Sequence, residues 1–423
     1  MAKSIFSNMS ALYDLYLKYP KISTDTRRIA PGSLFFALRG ASFDGNRFAA
    51  EALEKGAAAA IVDDPSVAVD TRYFVVEDTL RALQELAHEH RTTLGLPILA
   101  VAGSNGKTTT KELVSRVLAE KFNLHATQGN LNNHIGVPLT LLAMDASTEL
   151  GVVEMGASAC GEIAALCAIA DPDFGILTNV GRAHLEGFGG EEGVRRGKGE
   201  LYDYLAQYEG VAFLREEDDT LRSMAEERPT LRVEGYSEQE AEGIEHHLEG
   251  VYNRYNVAAA VAIGRYFCVE EEAIRRAIAG YKPDNNRSQR EELQRNTAVV
   301  DCYNANPSSM QASIGHFLAE PLGKRTKKAM ILGDMRELGA WSEEEHAKIL
   351  QLALSDPAVG IVLVGEEFGK ARAKLPDTDR ARCSHYATCD ALHQALEELP
   401  LSDHLLLIKA SRGIGLERIL HLL

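Results

Sequence analysis

The 423 residues carry 45 Lys and Arg against 61 Asp and Glu, a formal net charge of −16. That balance excludes a general nucleic-acid binder, whose footprint is basic, while leaving room for local anion sites built from backbone dipoles and single lysines. Hydrophobic residues at 45% and charged residues at 25% exclude a disordered chain and leave enough length for two or three domains.

Six scattered cysteines without C-x-x-C spacing point to free thiols in a reducing, cytoplasmic setting rather than to a disulfide frame or a zinc site. The first residues lack the apolar core of a signal peptide, and no apolar run is long enough to span a membrane.

Residues 1–94 read as a small α/β domain. Strands are expected at 33–38 and 58–62, with a helix at 48–55 closed by Gly56. The polar clusters Ser23-Thr24-Asp25-Thr26-Arg27 and Asp44-Gly45-Asn46-Arg47 suit turns and helix caps. Residues 94–97 are a plausible linker into a second domain, 95–295. There, strands at 98–102, 151–155 and 174–180 alternate with helices at 111–120, 162–170 and 193–208, the pattern of a parallel sheet covered on both faces. Two further helices, 251–264 and 270–280, precede a polar break at 284–289. A third α/β domain, 296–423, has strands at 298–300, 329–332, 361–364 and 405–408. Its strongest helix, 342–354, is expected to open on a capping box formed by Ser342 and Glu345.

The chemistry gathers at the ends of these strands. Ile98-Leu99-Ala100-Val101-Ala102 runs into Gly103-Ser104-Asn105-Gly106-Lys107-Thr108-Thr109 and then directly into a helix. A glycine-rich turn between a strand and a helix aims backbone N–H groups and the helix dipole at one point, where Lys107 reaches phosphate oxygens and the Thr108 hydroxyl can ligate Mg²⁺. Val101 stands where the full pattern has its first glycine, so this is a shortened P-loop. An ordinary turn with Ser104 or Thr108 capping the helix is the plain alternative. Glu154 closes an apolar strand, where a metal ion would give the carboxylate a partner; a helix cap or a lysine pair would also serve. His184 is a possible metal ligand or a satisfied loop histidine. Lys198 reads as a surface lysine, and the asparagine-rich stretch 129–138 as a turn able to meet a polyhydroxyl or phosphate ligand. The acidic run 216–219 reads as a solvated loop.

Taken in order, Gly103-Ser104-Asn105-Gly106-Lys107-Thr108-Thr109, Glu154-Met155-Gly156-Ala157 and the segment from Thr178 to Leu185 resemble the Mur ligases of bacterial cell-wall synthesis. Tyr303-Asn304-Ala305-Asn306-Pro307, the segment from Leu332 to Gly339, and Lys409-Ala410-Ser411-Arg412 resemble the branch that adds a dipeptide. The resemblance implies three domains: a UDP-sugar-binding α/β domain, a P-loop domain with a parallel sheet, and a Rossmann-like domain. It implies an ATP-dependent ligase that phosphorylates the terminal carboxylate of UDP-N-acetylmuramoyl-tripeptide and joins it to D-alanyl-D-alanine.

By the same resemblance, Gly103, Ser104, Asn105, Gly106, Lys107, Thr108, Thr109, Asn253, Arg287 and Asp301 would hold ATP. Thr108 and Glu154 would hold one Mg²⁺ and His184 a second. Lys198 would be carbamylated, turning a cation that repels metal into a supporting anion. Lys107, Glu154, His184 and Lys198 would thus form the catalytic set. Ser23, Asp25, Arg27, Asn132, Asn133 and Ser158 would face the UDP-sugar; Asn304, Asn306, Asp334 and Arg412 would lie near the dipeptide or the acyl phosphate. Tyr252 departs from the family's usual His, Asn286 from a Gly before Arg287, Val300 from the first of two aspartates, and Asn46 from a His. A cytoplasmic monomer without nucleic-acid or membrane partners is expected, its outer domains closing on the middle one. The alternatives are a sibling ligase adding one amino acid, and a P-loop switch that makes no bond.

Overall fold

The strand Ile98–Ala102 is apolar throughout and buried on both faces, the mark of a central parallel strand. In the computed structural model, which describes residues 2–250, 252–283 and 288–423, it lies inside a six-stranded sheet. The order across that sheet is Arg232–Tyr236, Val211–Arg215, Phe174–Leu177, Ile98–Ala102, Leu150–Glu154 and Leu124–Ala126, and every pair is parallel. The chain leaves Ile98–Ala102 for one side of the sheet and returns on the other. A topological switch point, the usual ligand position in such sheets, therefore falls at this strand's carboxyl end.

The helices Lys107–Ala119, Asn253–Tyr266 and Glu271–Ala279 share one apolar core with one sheet face, through Val101, Val114, Val117 and Val257. The helices Thr79–Leu94, Glu162–Ala170 and Glu191–Gln207 cover the other face.

The N-terminal sheet has four parallel strands, ordered Ile22–Ser23, Leu34–Phe36, Ala59–Val62 and Tyr73–Val75. The helix Ala49–Glu54 lies where a helix closed by Gly56 is expected. Ala2–Lys18 adds a helix not expected from the sequence. The next helix, Thr79–Leu94, ends on Gly95 in the left-handed conformation. It packs on Gly136–Leu141 and Glu162–Ala170 of the middle unit. Arg91 donates to the Ala170 and Asp171 carbonyls at 3.1 and 2.6 Å and pairs with Asp173 at 2.9 Å. Residues 94–97 are thus no free tether, because Leu96 and Ile98 belong to the same core as this helix.

The third sheet has the order Gln289–Glu292, Thr297–Asp301, His404–Lys409, Lys327–Gly333, Val359–Val364 and Cys383–Tyr386, parallel except for its first pair. Gln289–Glu292, expected in the second domain, joins the third because its backbone completes the edge of Thr297–Asp301. The expected capping box is corrected too. The helix Ser342–Ala353 has Trp341 at its N-cap without a side-chain cap. Ser342 Oγ donates instead to Glu367 at 2.9 Å, and Glu345 pairs with Arg182 at 3.0 Å. The acidic run 216–219 does cap a helix, with the Asp218 carboxylate accepting from Leu221 N at 3.1 Å. No helix among the described residues is long and apolar enough to cross a membrane.

Candidate functional site

The turn after Ile98–Ala102 needs Gly103 at φ +133° and Gly106 at φ +81°, backbone regions that favour glycine. A Cβ on Gly103 would sit 2.1 Å from Thr178 Oγ1. The turn is fastened to the neighbouring strand end. Ser104 N donates to Asn179 O at 3.0 Å, Asn105 N to Asn179 Oδ1 at 3.1 Å, and Thr178 Oγ1 to Asn105 O at 2.6 Å. The helix then starts with Gly106 at its N-cap and no side-chain cap, so its first N–H groups face a cleft as an anion site. Lys107 Nζ folds back onto the Gly103 and Ser104 carbonyls at 2.9 and 3.1 Å.

Thr108 does not cap the helix. Its Oγ1 donates to Glu154 Oε1 at 3.1 Å, and Asn132 Nδ2 donates to the same oxygen at 2.8 Å. Glu154 is 1% exposed, and its Oε2 has no hydrogen-bond partner among the described residues. A buried carboxylate oxygen without a donor is costly in water-free surroundings, and a cation would relieve it. The hydroxyl and carboxylate fit Mg²⁺, which takes hard oxygen ligands from one or two protein groups and completes its shell with phosphate oxygens and water. Among the described residues no three His, Cys, Asp or Glu side chains converge as a closed metal cage.

These groups line one cleft of about 860 Å³ between the middle and third units. The structure brings Ser104, Asn105, Gly106, Lys107, Thr108, Thr109, Asn132, Asn133, Glu154, Ser158, His184, Asn253, Asp301 and Asn304 together around it. Asn253 is anchored at the start of its helix by Asn256 Nδ2 at 2.7 Å, and Asn256 Oδ1 takes the Thr110 hydroxyl at 3.0 Å. Asp301 accepts from Ser313 Oγ at 3.0 Å and is ion-paired with Lys409. Asn133 Oδ1 also accepts from Ile135 N and Gly136 N at 3.1 and 2.9 Å, just ahead of the short helix Gly136–Leu141. The Ser158 amide donates to Glu162 at 2.7 Å.

Lys198 is not a surface lysine. It is 1% exposed, its Nζ donates to Ala157 O at 3.0 Å, and burial together with nearby Lys107 pushes its ammonium down to about 7. The neutral amine is the form that reacts with CO₂, and a lysine held near 7 supplies far more of it than an ordinary one, so the residue fits a carbamate.

Other expected residues do not line this cleft. Asp25 accepts from Arg27 N at 2.9 Å and pairs with its guanidinium at 2.7 Å on the N-terminal unit, with Ser23 donating to Asp25 O at 3.2 Å. The Arg27 partner holds the Asp25 carboxyl at about 2. Asn306 caps the helix Pro307–Ala319 and donates to Asn105 Oδ1 at 2.8 Å, touching the P-loop from the third unit. Asp334 caps Glu366–Ala373 through Glu367 N and Phe368 N at 3.0 and 2.9 Å. Arg412 lies over the Tyr303 ring at 5.4 Å. Arg287 lies outside the described residues.

The sequence places Lys409 and Asn179 in strand-end segments without giving either a role, and it misses the Arg215–Tyr255 stack at 4.1 Å; all four line the cleft. A lysine ending the apolar strand His404–Lys409 was the available signal for the first.

A P-loop at a sheet switch point, faced by a buried hydroxyl–carboxylate pair and closed by a second α/β unit, defines a nucleotide-phosphate-binding α/β protein. Family models match three stretches that together make up most of the chain: "Mur ligase family, catalytic domain" over residues 18–91, "Mur ligase middle domain" over 101–242, and "Mur ligase, glutamate ligase domain" over 286–412. The chain belongs to the Mur ligase family. Curated relatives include the UDP-N-acetylmuramoyl-tripeptide–D-alanyl-D-alanine ligases of Bacillus subtilis, 35% identical over 94% of this chain and 92% of that protein, and of Escherichia coli, 32% identical over 95% and 93%. Similar solved structures include MurF from Acinetobacter baumannii, with TM-score 0.83 and 30% identity over 94% of this chain and 92% of that one. MurF from Thermotoga maritima in complex with ADP has TM-score 0.79 and 27% identity over 96% and 97%.

Proposed function

We propose that this chain is an ATP-dependent, ADP-forming ligase that adds D-alanyl-D-alanine to UDP-N-acetylmuramoyl-tripeptide in peptidoglycan precursor synthesis. The observation that carries the chemical part is the cleft where Lys107, Thr108 and the free Glu154 oxygen meet at a helix N-terminus. The full-length similarity to ligases of that name carries the choice of substrates.

ATP phosphates lie on the N–H groups of residues 103–109, with Lys107 Nζ released from its loop carbonyls to the phosphate oxygens. Asn253, Arg287 and Asp301 hold the rest of the nucleotide. Thr108 and Glu154 would hold one Mg²⁺ and His184 a second, and these ions would supply charge neutralisation for the phosphoryl oxygens. Carbamylated Lys198 supports that charge arrangement from behind the cleft wall. The γ-phosphoryl group passes from ADP oxygen to the tripeptide's terminal carboxylate oxygen, giving an acyl phosphate. The dipeptide amine then attacks the acyl carbon, forming the amide bond, losing a proton and expelling phosphate.

Residues 1–94, with Ser23, Asp25 and Arg27, face the UDP-sugar together with Asn132, Asn133 and Ser158 from the middle domain. The third domain, which takes in Gln289–Glu292 as its edge strand, contributes Asn304, Asn306, Asp334 and Arg412 toward the dipeptide and the acyl phosphate, and the protein works as a monomer.

The test is phosphate release with ATP, Mg²⁺, UDP-N-acetylmuramoyl-tripeptide and D-alanyl-D-alanine. Release only when all four are present supports the ligase. Release independent of the dipeptide overturns it.

A further inference from the structure

His184 and Glu337 come from different domains and meet at the cleft. His184 follows the strand Phe174–Leu177 of the middle unit; Glu337 follows Lys327–Gly333 of the third. Both hold left-handed backbone, at φ 53° and 62°, which is uncommon outside glycine. Such conformations persist where surrounding contacts over-determine them.

Here the contacts run across the domain boundary. Glu186 N donates to Glu337 O at 3.2 Å, Arg182 N to Ser308 Oγ at 2.8 Å, and the Arg182 guanidinium pairs with Glu345 at 3.0 Å. A Cβ on Gly190 would stand 3.2 Å from the Trp341 ring. The loop that carries His184 is therefore seated against the third unit along its whole length.

Within that seat, buried His184 Nδ1 is in contact with Glu337 Oε2, off the line of a straight hydrogen bond, and has no other polar partner among the described residues. An imidazole whose Nδ1 faces a carboxylate keeps its proton there and leaves Nε2 as a lone pair. The segment 332–339 carries the resemblance to the dipeptide-adding branch, yet the proposed chemistry gives Glu337 no role.

We infer that Glu337 is a positioning residue: it fixes the tautomer and ring orientation of His184 across the domain interface, so that Nε2 becomes available to a cation only when the third domain is docked. Carboxylates behind ligating histidines act in this way, and their loss typically costs 10–100-fold in metal affinity or activity. The inference rests on the ligase reading for what His184 serves, but the contact itself is a property of the ligand-free chain.

The test uses full-length protein labelled with ¹⁵N-histidine, at pH 8, without nucleotide. The wild-type His184 ring is expected as the Nδ1–H tautomer. Glu337→Ala shifts it to the Nε2–H form that free imidazoles favour. Glu337→Gln, whose amide oxygen still accepts the proton, retains most of the Nδ1–H form. In ligation assays Glu337→Ala lowers kcat about tenfold or more with the KM of the tripeptide and of the dipeptide within about twofold, and the dissociation constant of Mn²⁺·ADP rises about tenfold. Glu345→Gln removes the charge of the Arg182 pair while the Glu186–Glu337 and Arg182–Ser308 contacts keep the domains docked, and it leaves the tautomer unchanged.

An identical tautomer in wild type and Glu337→Ala overturns the inference, as does a tautomer change in Glu345→Gln equal to that in Glu337→Ala. If wild-type protein makes no amide bond, the ligase reading falls while the tautomer comparison still decides the His184–Glu337 link.

Discussion

Thr108 Oγ1 donates to Glu154 Oε1 at 3.1 Å across 46 positions of sequence, joining the first turn of the P-loop helix to the end of the adjacent strand. With Asn132 on the same oxygen, one side of the carboxylate is satisfied and the other is left bare in a buried setting. A protein stabilised only for folding would gain by removing that charge.

Glu154→Gln tests this directly. Ligation is expected to fall about 10²–10³-fold, the scale of losing one charge-stabilising group in a desolvated site. The melting temperature is expected to stay level or rise, because an unpartnered buried carboxylate oxygen is removed. Steady-state kinetics and a thermal melt on the same sample check both parts.

Lys198→Ala is expected to abolish ligation nearly completely, with partial recovery when short-chain carboxylates are added to stand in for the carbamate. Full activity in the variant removes the carbamate from the mechanism. Phosphate-release assays with and without added acetate or formate make the measurement.

Lys198 also predicts a pH dependence of stability in CO₂-free buffer. Burial first, then Lys107, hold its ammonium at about 7 instead of the ordinary 10.5. Between those values the unfolded chain binds one more proton than the folded one, so the unfolding free energy rises with pH through that window. Lys198→Met is expected to flatten this rise. Urea unfolding at several pH values from 7 to above 9 compares the two slopes.

Gly103→Ala places a Cβ 2.1 Å from Thr178 Oγ1 and 3.0 Å from Thr178 N, at a φ of +133° that a side chain rarely adopts. The loop must shift, at an expected cost of about 2–4 kcal/mol from backbone strain and overpacking. ADP binding is expected to weaken with it. Denaturant unfolding and ADP titration measure the two effects.

Arg182→Ala leaves Glu345, 3% exposed, with Lys348 as its remaining cationic partner, at 2.9 Å. Stability is expected to drop by about 1–3 kcal/mol, because the buried carboxylate loses the Arg182 hydrogen bond and keeps only Lys348. The third unit is expected to dock less tightly on the loop 181–186, visible as a larger radius of gyration in small-angle scattering.

The P-loop was legible because its signal is local: apolar strand, glycines with positive φ and a following helix are contiguous. Glu154 was legible because a carboxylate ending an apolar strand has few destinations. Lys198 read as a surface residue because its burial comes from Phe188 and the Ala157 backbone, the latter 41 positions away in sequence. Ser342 and Glu345 fit a capping box by spacing, yet an ion pair with Arg182 and a hydrogen bond to Glu367 took both side chains. Residues 216–219 held a helix cap because a single Asp at the right backbone angle suffices.

The sequence by itself determined three α/β layers and the place of the anion site, since apolar periodicity and glycine-rich turns act over a few residues. Tertiary structure alone decided which polar groups share one cleft, which lysine loses its water, and that Glu337 reaches His184 from another domain. Those outcomes depend on charge and solvation between segments distant in the chain, where local pattern carries no information.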